Sequence, residues 1–82
     1  MTVLYKPYNS SCLGFIVPKT LGSAFLRNRF KRRCRYAFQT ICLNQSIESI
    51  GVIVRPTSID IAYSDIRGVF NKLNSKILDI NF

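Results

Sequence analysis

Apolar and polar positions repeat along this chain with two different periods, and the change from one to the other marks its elements. Residues 2–8, TVLYKPY, are rich in β-forming side chains until Pro7, and the polar NSS that follows reads as a turn, so this segment looks like the first arm of a hairpin. In CLGFIV, residues 12–17, alternation places Leu13, Phe15 and Val17 on one face and Gly14 and Ile16 on the other, and Pro18 ends the ladder. Gly22 then allows a sharp turn, and Ser23 is placed to cap a helix beginning at Ala24. From there the period lengthens to that of a helix. Leu26, Phe30, Cys34, Ala37 and Ile41 fall within a stripe about 80° wide, the pattern of an amphipathic helix docked on a core.

After a polar connection, NQSIES, the run GVIVR predicts a short strand closed by Pro56, central and buried on both faces. Ser64 can cap a second helix whose Ile66, Val69, Phe70, Leu73 and Ile77 recur at helical spacing, so this stripe also covers a sheet. The predicted order is β-β-α-β-α, a small two-layer α+β sandwich forming one domain over residues 1–82. No repeat or linker interrupts it.

Charge sharpens this outline. Residues 1–47 carry eight Lys and Arg and no acid, whereas residues 48–82 carry four of each, so the whole excess of +8 lies in the first part. Six of those cations fall in RNRFKRRCR, residues 27–35, which the helical period places on the first helix. The projection sets Asn28, Lys31, Arg32 and Arg35 opposite the apolar stripe, with Arg27, Arg29 and Arg33 along its borders. An ordinary solvated helix face mixes acids with bases, because like charges four residues apart repel. Such an uncompensated field fits a polyanion, either nucleic acid phosphates or an anionic membrane. Arg outnumbers Lys five to one here, which suits bidentate phosphate contacts and stacking. Asn28, between two arginines, can donate and accept, to backbone, to a base edge or to a metal-bound water; it also suits a plain surface position near a helix start.

Other chemistry is thin. The chain has no His, and its four acids are scattered, so no nucleophile–base pair and no catalytic side chain is expected. Cys12, Cys34 and Cys42 lack metal-ligand spacing and read as reduced, partly buried packing thiols, with no metal ligand on the protein. The hydrophobic fraction of 48% is too high for a disordered basic tail. No secretory pattern and no membrane-spanning run is present, and the expected location is cytoplasmic, without membrane or small-molecule partner. Tyr5 and Tyr8 could stack on unpaired bases, whereas Phe15 shares a face with Leu13 and Val17 and reads as core.

Together these residues carry a family resemblance. GFIVPKTLGSAFLRNRFKRRCRYAF, followed by GVIVRP and a Tyr-led helix, resembles the protein component of bacterial ribonuclease P. The signature Arg-Asn-Arg-x-Lys-Arg-x-x-Arg is met by Arg27, Asn28, Arg29, Lys31, Arg32 and Arg35, and Lys19, Gly22 and Ala24 match the approach to the helix. The resemblance, over residues 2–78, implies a fold like the second domain of a small-subunit ribosomal protein, with a left-handed β-α-β crossover. It implies that a catalytic RNA removes the 5′ leader from precursor tRNA while the protein binds both RNAs and lowers the magnesium requirement, the metal ions belonging to the RNA complex. Carried over, Lys19, Arg27, Asn28, Arg29, Lys31, Arg32, Arg33 and Arg35 would contact RNA, and Tyr5, Ile16, Lys31 and Arg35 would line a groove for the leader. Family members begin with a further helix ahead of the first strand, which is absent here, so the expectation is either a shortened form or a start that lies further upstream. They also carry Ser-Val-Ser-Lys where this chain has Ile16, Val17, Pro18 and Lys19, which removes two groove hydroxyls. Two other readings share the charge logic: a general RNA-binding or ribosome-associated module, and a basic amphipathic helix acting at membranes.

Overall fold

The computed structural model describes residues 1–7, 11–42 and 50–80. In chain order these form β1 (Thr2–Pro7), β2 (Cys12–Phe15), a single 3₁₀ turn (Lys19–Leu21), α1 (Ala24–Ala37), a π-helical turn (Phe38–Cys42), β3 (Ile50–Arg55) and α2 (Tyr63–Ile80). Tyr8, most of the NSS turn, the NQSIES connection and the side chain of Ile77 lie outside the described residues.

The three strands form one mixed sheet in the order β1-β3-β2. β1 runs antiparallel to β3 from Thr2 opposite Arg55 to Pro7 opposite Ile50, and β2 runs parallel to it from Cys12 opposite Gly51 to Phe15 opposite Val54. The expected β1–β2 hairpin is therefore absent. The most apolar strand takes the middle, where both its edges are paired, and Pro7, which lacks an N–H, sits on an edge strand that tolerates it. Because β2 and β3 are parallel, their link must cross over, and α1 is that crossover. One further bond, Ile16 N–H to the Val54 carbonyl at 2.9 Å, extends the ladder before Pro18 stops it.

Both helices pack on one face of the sheet. β3 turns Ile50, Val52 and Val54 into the core, while Ile53 stays 41% exposed and Arg55 is exposed. The expectation of a strand buried on both faces is corrected for that reason: among the described residues no layer covers the second face, and Leu4, Ile16 and Ile53 lie open there. Leu13, Phe15 and Val17 lean on the helix side as the alternation predicts.

Ser23 caps α1 with its Oγ accepting from Leu26 N–H at 3.3 Å, and Phe30, Cys34 and Ala37 are fully buried. Leu26 is the exposed end of that stripe and Ile41 is half-buried. Beyond Ala37 the helix widens into the π turn, where the Thr40 hydroxyl donates back to the Tyr36 carbonyl at 2.9 Å and Phe38 and Cys42 are both buried. Phe38 meets Phe70 of α2 at 6.2 Å between ring centroids. In α2 Ile66, Phe70 and Leu73 are buried and Val69 half-buried. The helix starts one residue before the Ser64 expected to cap it, because the Ala62 carbonyl accepts from both Asp65 and Ile66 N–H and leaves Ser64 inside the first turn. Asp65 there meets the positive end of the helix dipole.

Candidate nucleic-acid interface

Six cations and no acid stand on the fourteen residues of α1. The sequence projection treated them as one solvent face with borders, whereas the structure sorts them into two flanks on either side of the buried stripe. Arg27, Lys31 and Arg35 follow each other one turn apart on the flank toward β2. There the Arg35 guanidinium lies 5.4 Å from the Phe15 ring centroid, and that ring meets Phe30 edge-on at 6.4 Å. Such a contact orients a cation without neutralising it. At the head of the same flank Arg27 Nε donates to the Gly22 carbonyl at 3.3 Å.

Arg29 and Arg33 occupy the other flank, toward the segment leading into α2, and Arg32 stands between the two flanks. Arg33 Nη1 donates to the Ile61 carbonyl at 3.3 Å, and beside it the rings of Tyr36 and Tyr63 lie 6.0 Å apart. Asn28 and Arg32 are exposed on the outermost surface of the helix, and Lys19 is exposed on the turn that precedes it. Arg27 with Lys31, Lys31 with Arg35 and Arg29 with Arg33 are like-charge pairs at i,i+4, each costing a few tenths of a kcal/mol in the free protein. An anion lying along the helix would relieve all three.

The four residues expected to line a leader groove are not gathered into one wall. Lys31 and Arg35 share a flank of α1. Ile16 lies on the open side of the sheet, and Tyr5 faces the helix side from β1, with β3 between the two outer strands. Tyr5 instead borders a cavity of about 270 Å³ with Met1, Val3, Val69 and Leu73, and Lys72 and Lys76 stand at its rim. Those two lysines, one turn apart on α2, were not among the residues singled out in the sequence; only the topology, which brings α2 over β1, makes them neighbours of an aromatic ring.

The cysteines divide by position. Cys34 and Cys42 are buried packing residues, and burial pushes the Cys34 thiol up to about 12, against the opposing pull of the Arg35 charge, and the Cys42 thiol up to about 11. Cys12, expected to be partly buried with them, is exposed because β2 turns it to the uncovered face. Among the described residues no group of His, Cys, Asp or Glu could hold a metal ion, and no helix is long and apolar enough to cross a membrane.

Two large side chains outside the apolar stripe stand open: Phe25, 67% exposed, and Tyr36, 61% exposed. On the helical wheel they stand about 140° and 120° from Phe30, where core packing cannot account for them.

Comparison with known proteins accords with this arrangement. A search among curated proteins found no match. Among solved structures, the ribonuclease P protein of Thermotoga maritima superposes with a TM-score of 0.69 at 24% identity, covering 89% of this chain and 74% of that one. The ribonuclease P protein of Staphylococcus aureus does so with a TM-score of 0.62 at 30% identity, covering 95% of this chain and 71% of that one. A family model described as Ribonuclease P matches residues 1–78, nearly the whole described fold and all of the arginine-rich helix, and the chain belongs to the ribonuclease P protein family.

Proposed function

We propose that this protein subunit binds the catalytic RNA of ribonuclease P through α1 and assists removal of the 5′ leader from precursor tRNA in the cytoplasm. The observation that carries the reading is the helix itself, six cations without an acid on an element whose apolar side is already committed to the core. Arg29 and Arg32 would hold phosphates on one side and the outer surface of the helix, and Arg27, Lys31 and Arg35 on the other side. Lys19 would extend the contact toward β2, and Asn28 would supply a neutral donor and acceptor between them. The same commitment of the apolar stripe disfavours action at membranes, which needs that stripe free.

Scissile chemistry falls to the RNA in this reading. The magnesium ions belong to RNA phosphates in this reading, and the protein lowers the magnesium requirement by neutralising some of that charge itself. In the leader path, Lys31 and Arg35 form one part, while Tyr5 with Lys72 and Lys76 forms a second part across the sheet.

Cleavage of precursor tRNA by the source organism's ribonuclease P RNA at low magnesium, with and without the chain, tests this. The expected result is a faster reaction with the chain, lost when Arg29→Ala and Arg32→Ala are combined. Binding without acceleration would reduce the role to that of a general RNA-binding module, and absence of binding would overturn the reading.

A further inference from the structure

The exposed rings of α1 stand in a pattern. Phe25, Arg29, Arg32 and Tyr36 follow one another at i, i+4, i+7 and i+11, so they form a single stripe, aromatic at both ends and cationic between. Its ends are about 16 Å apart along the helix. Resting on the RNA-binding reading above, we propose that this stripe holds unpaired RNA bases, Phe25 and Tyr36 each stacking on a base while Arg29 and Arg32 hold the phosphates between them.

Three observations favour that occupant. The rings are largely exposed although each could bury substantial apolar area, so the folded chain leaves them without the cover that large apolar groups usually find. The residues between them are arginines, and α1 has no acid, so the field selects a polyanion over a neutral or basic protein surface. Tyr36 is also held in place: Tyr63 lies 6.0 Å away, and the Arg33 bond to the Ile61 carbonyl fixes the segment carrying Tyr63. A ring so placed loses little freedom on stacking, and stacking tolerates any base because each presents a π face. A membrane surface would want rings gathered apart from cations, whereas here they alternate along one line. Base-paired RNA hides its faces, so the stripe distinguishes unpaired from paired segments, which the arginines alone do not.

The test uses the full chain and the source organism's ribonuclease P RNA. Affinity is measured over a range of salt for the wild type, Phe25→Leu, Tyr36→Phe and the combined Phe25→Ala with Tyr36→Ala, each checked for an unchanged melting temperature. Leu keeps the bulk of Phe25 without its π face, so a folding defect and a stacking defect separate. The expected result is a loss of about tenfold for Phe25→Leu, a larger loss for the double variant, and affinity near wild type for Tyr36→Phe. The salt dependence should not change, because no charge is removed. In competition, a single-stranded oligonucleotide should displace the wild type better than a duplex of equal length, and the double variant should lose that preference. If ring removal leaves affinity and preference intact while Arg29→Ala with Arg32→Ala weakens binding, the stripe inference is overturned and the RNA reading stands. If the wild type does not bind this RNA, both fall. Ring-dependent binding to anionic vesicles without any effect on RNA would assign the rings to a membrane and sink the inference as well.

Discussion

Arg32 and Arg33 are neighbours in sequence, yet the structure gives them different work, and substituting each alone separates the two. Arg33 is half-buried and its Nη1 reaches the Ile61 carbonyl at 3.3 Å, tying α1 to the segment before α2. Hydrogen bonds to charged groups contribute about 1.5 to 3 kcal/mol when well sheltered; this one is long and partly wet, so about 1 kcal/mol is the reasonable figure. Removing Arg33 also ends its repulsion with Arg29, worth a few tenths in the opposite direction, and Ala and Arg differ little in helix propensity. The net cost of Arg33→Ala is then roughly 0.5 to 1 kcal/mol, a fall in melting temperature of about 2 to 8 °C for a domain of this size. Arg32 is exposed, so Arg32→Ala should leave the melting temperature unchanged or slightly higher. Binding reverses the order. Loss of one phosphate contact lowers the slope of log affinity against log salt by about one, and that change is expected for Arg32→Ala and not for Arg33→Ala. Thermal melts together with RNA titrations at several salt concentrations give both quantities. An Arg33→Ala variant that melts like the wild type while losing a unit of salt slope would show the opposite, a guanidinium that serves RNA and not the fold.

Three further outcomes are expected. Ser23→Asp should keep the cap and place a negative charge in a helix start that has no acid, raising stability by about 0.5 kcal/mol in a urea titration while weakening RNA binding beside Arg27. Phe30→Ala should cost about 3 to 5 kcal/mol, most of the stability of so small a domain, since the ring is buried between Phe15 and the helix layer; retention of a cooperative melt near the wild-type temperature would contradict that placement. Because burial raises the Cys34 and Cys42 thiols to about 12 and 11 from an ordinary value of 9.0, the native state keeps protons that the unfolded chain gives up. Their contribution is therefore full below pH 9 and is lost as pH rises through 11 and 12; a Cys34→Ala, Cys42→Ala variant, weaker at pH 8, should lose less on going to pH 10.

Most of the helical layer was legible because it is written in short-range terms. The Ser23 cap, the Phe30–Cys34–Ala37 stripe and the Ile66–Phe70–Leu73 stripe each depend on residues within a few turns of one another. Strand pairing was not, since nothing local to TVLYKPY states that its partner lies beyond α1. The uncovered face of β3 escaped for a related reason: an apolar run such as GVIVR reads the same whether one or two layers cover it. Ser64 misled because a backbone carbonyl, that of Ala62, took the role a side chain was expected to fill. Within the candidate site, the motif residues fall on α1 where the helical period places them, and the tether that sets Arg33 apart was not legible because its acceptor, Ile61, lies twenty-eight positions away. Phe25 and Tyr36 carried a signal that was available, two aromatics off the apolar stripe, which counts only once exposure is known.

The sheet order also sets a timetable. Thr2 pairs with Arg55, 53 positions on, and Cys12 with Gly51, 39 positions on, whereas every bond of α1 closes within one helical turn. During synthesis the arginine-rich helix can therefore leave the ribosome before the strand that seats both outer strands has emerged. Chain ends brought together over such separations meet late and slowly. For that interval the cell holds a nascent segment with its full positive charge and an uncovered apolar stripe, and any RNA already at hand would meet the helix before the sheet does.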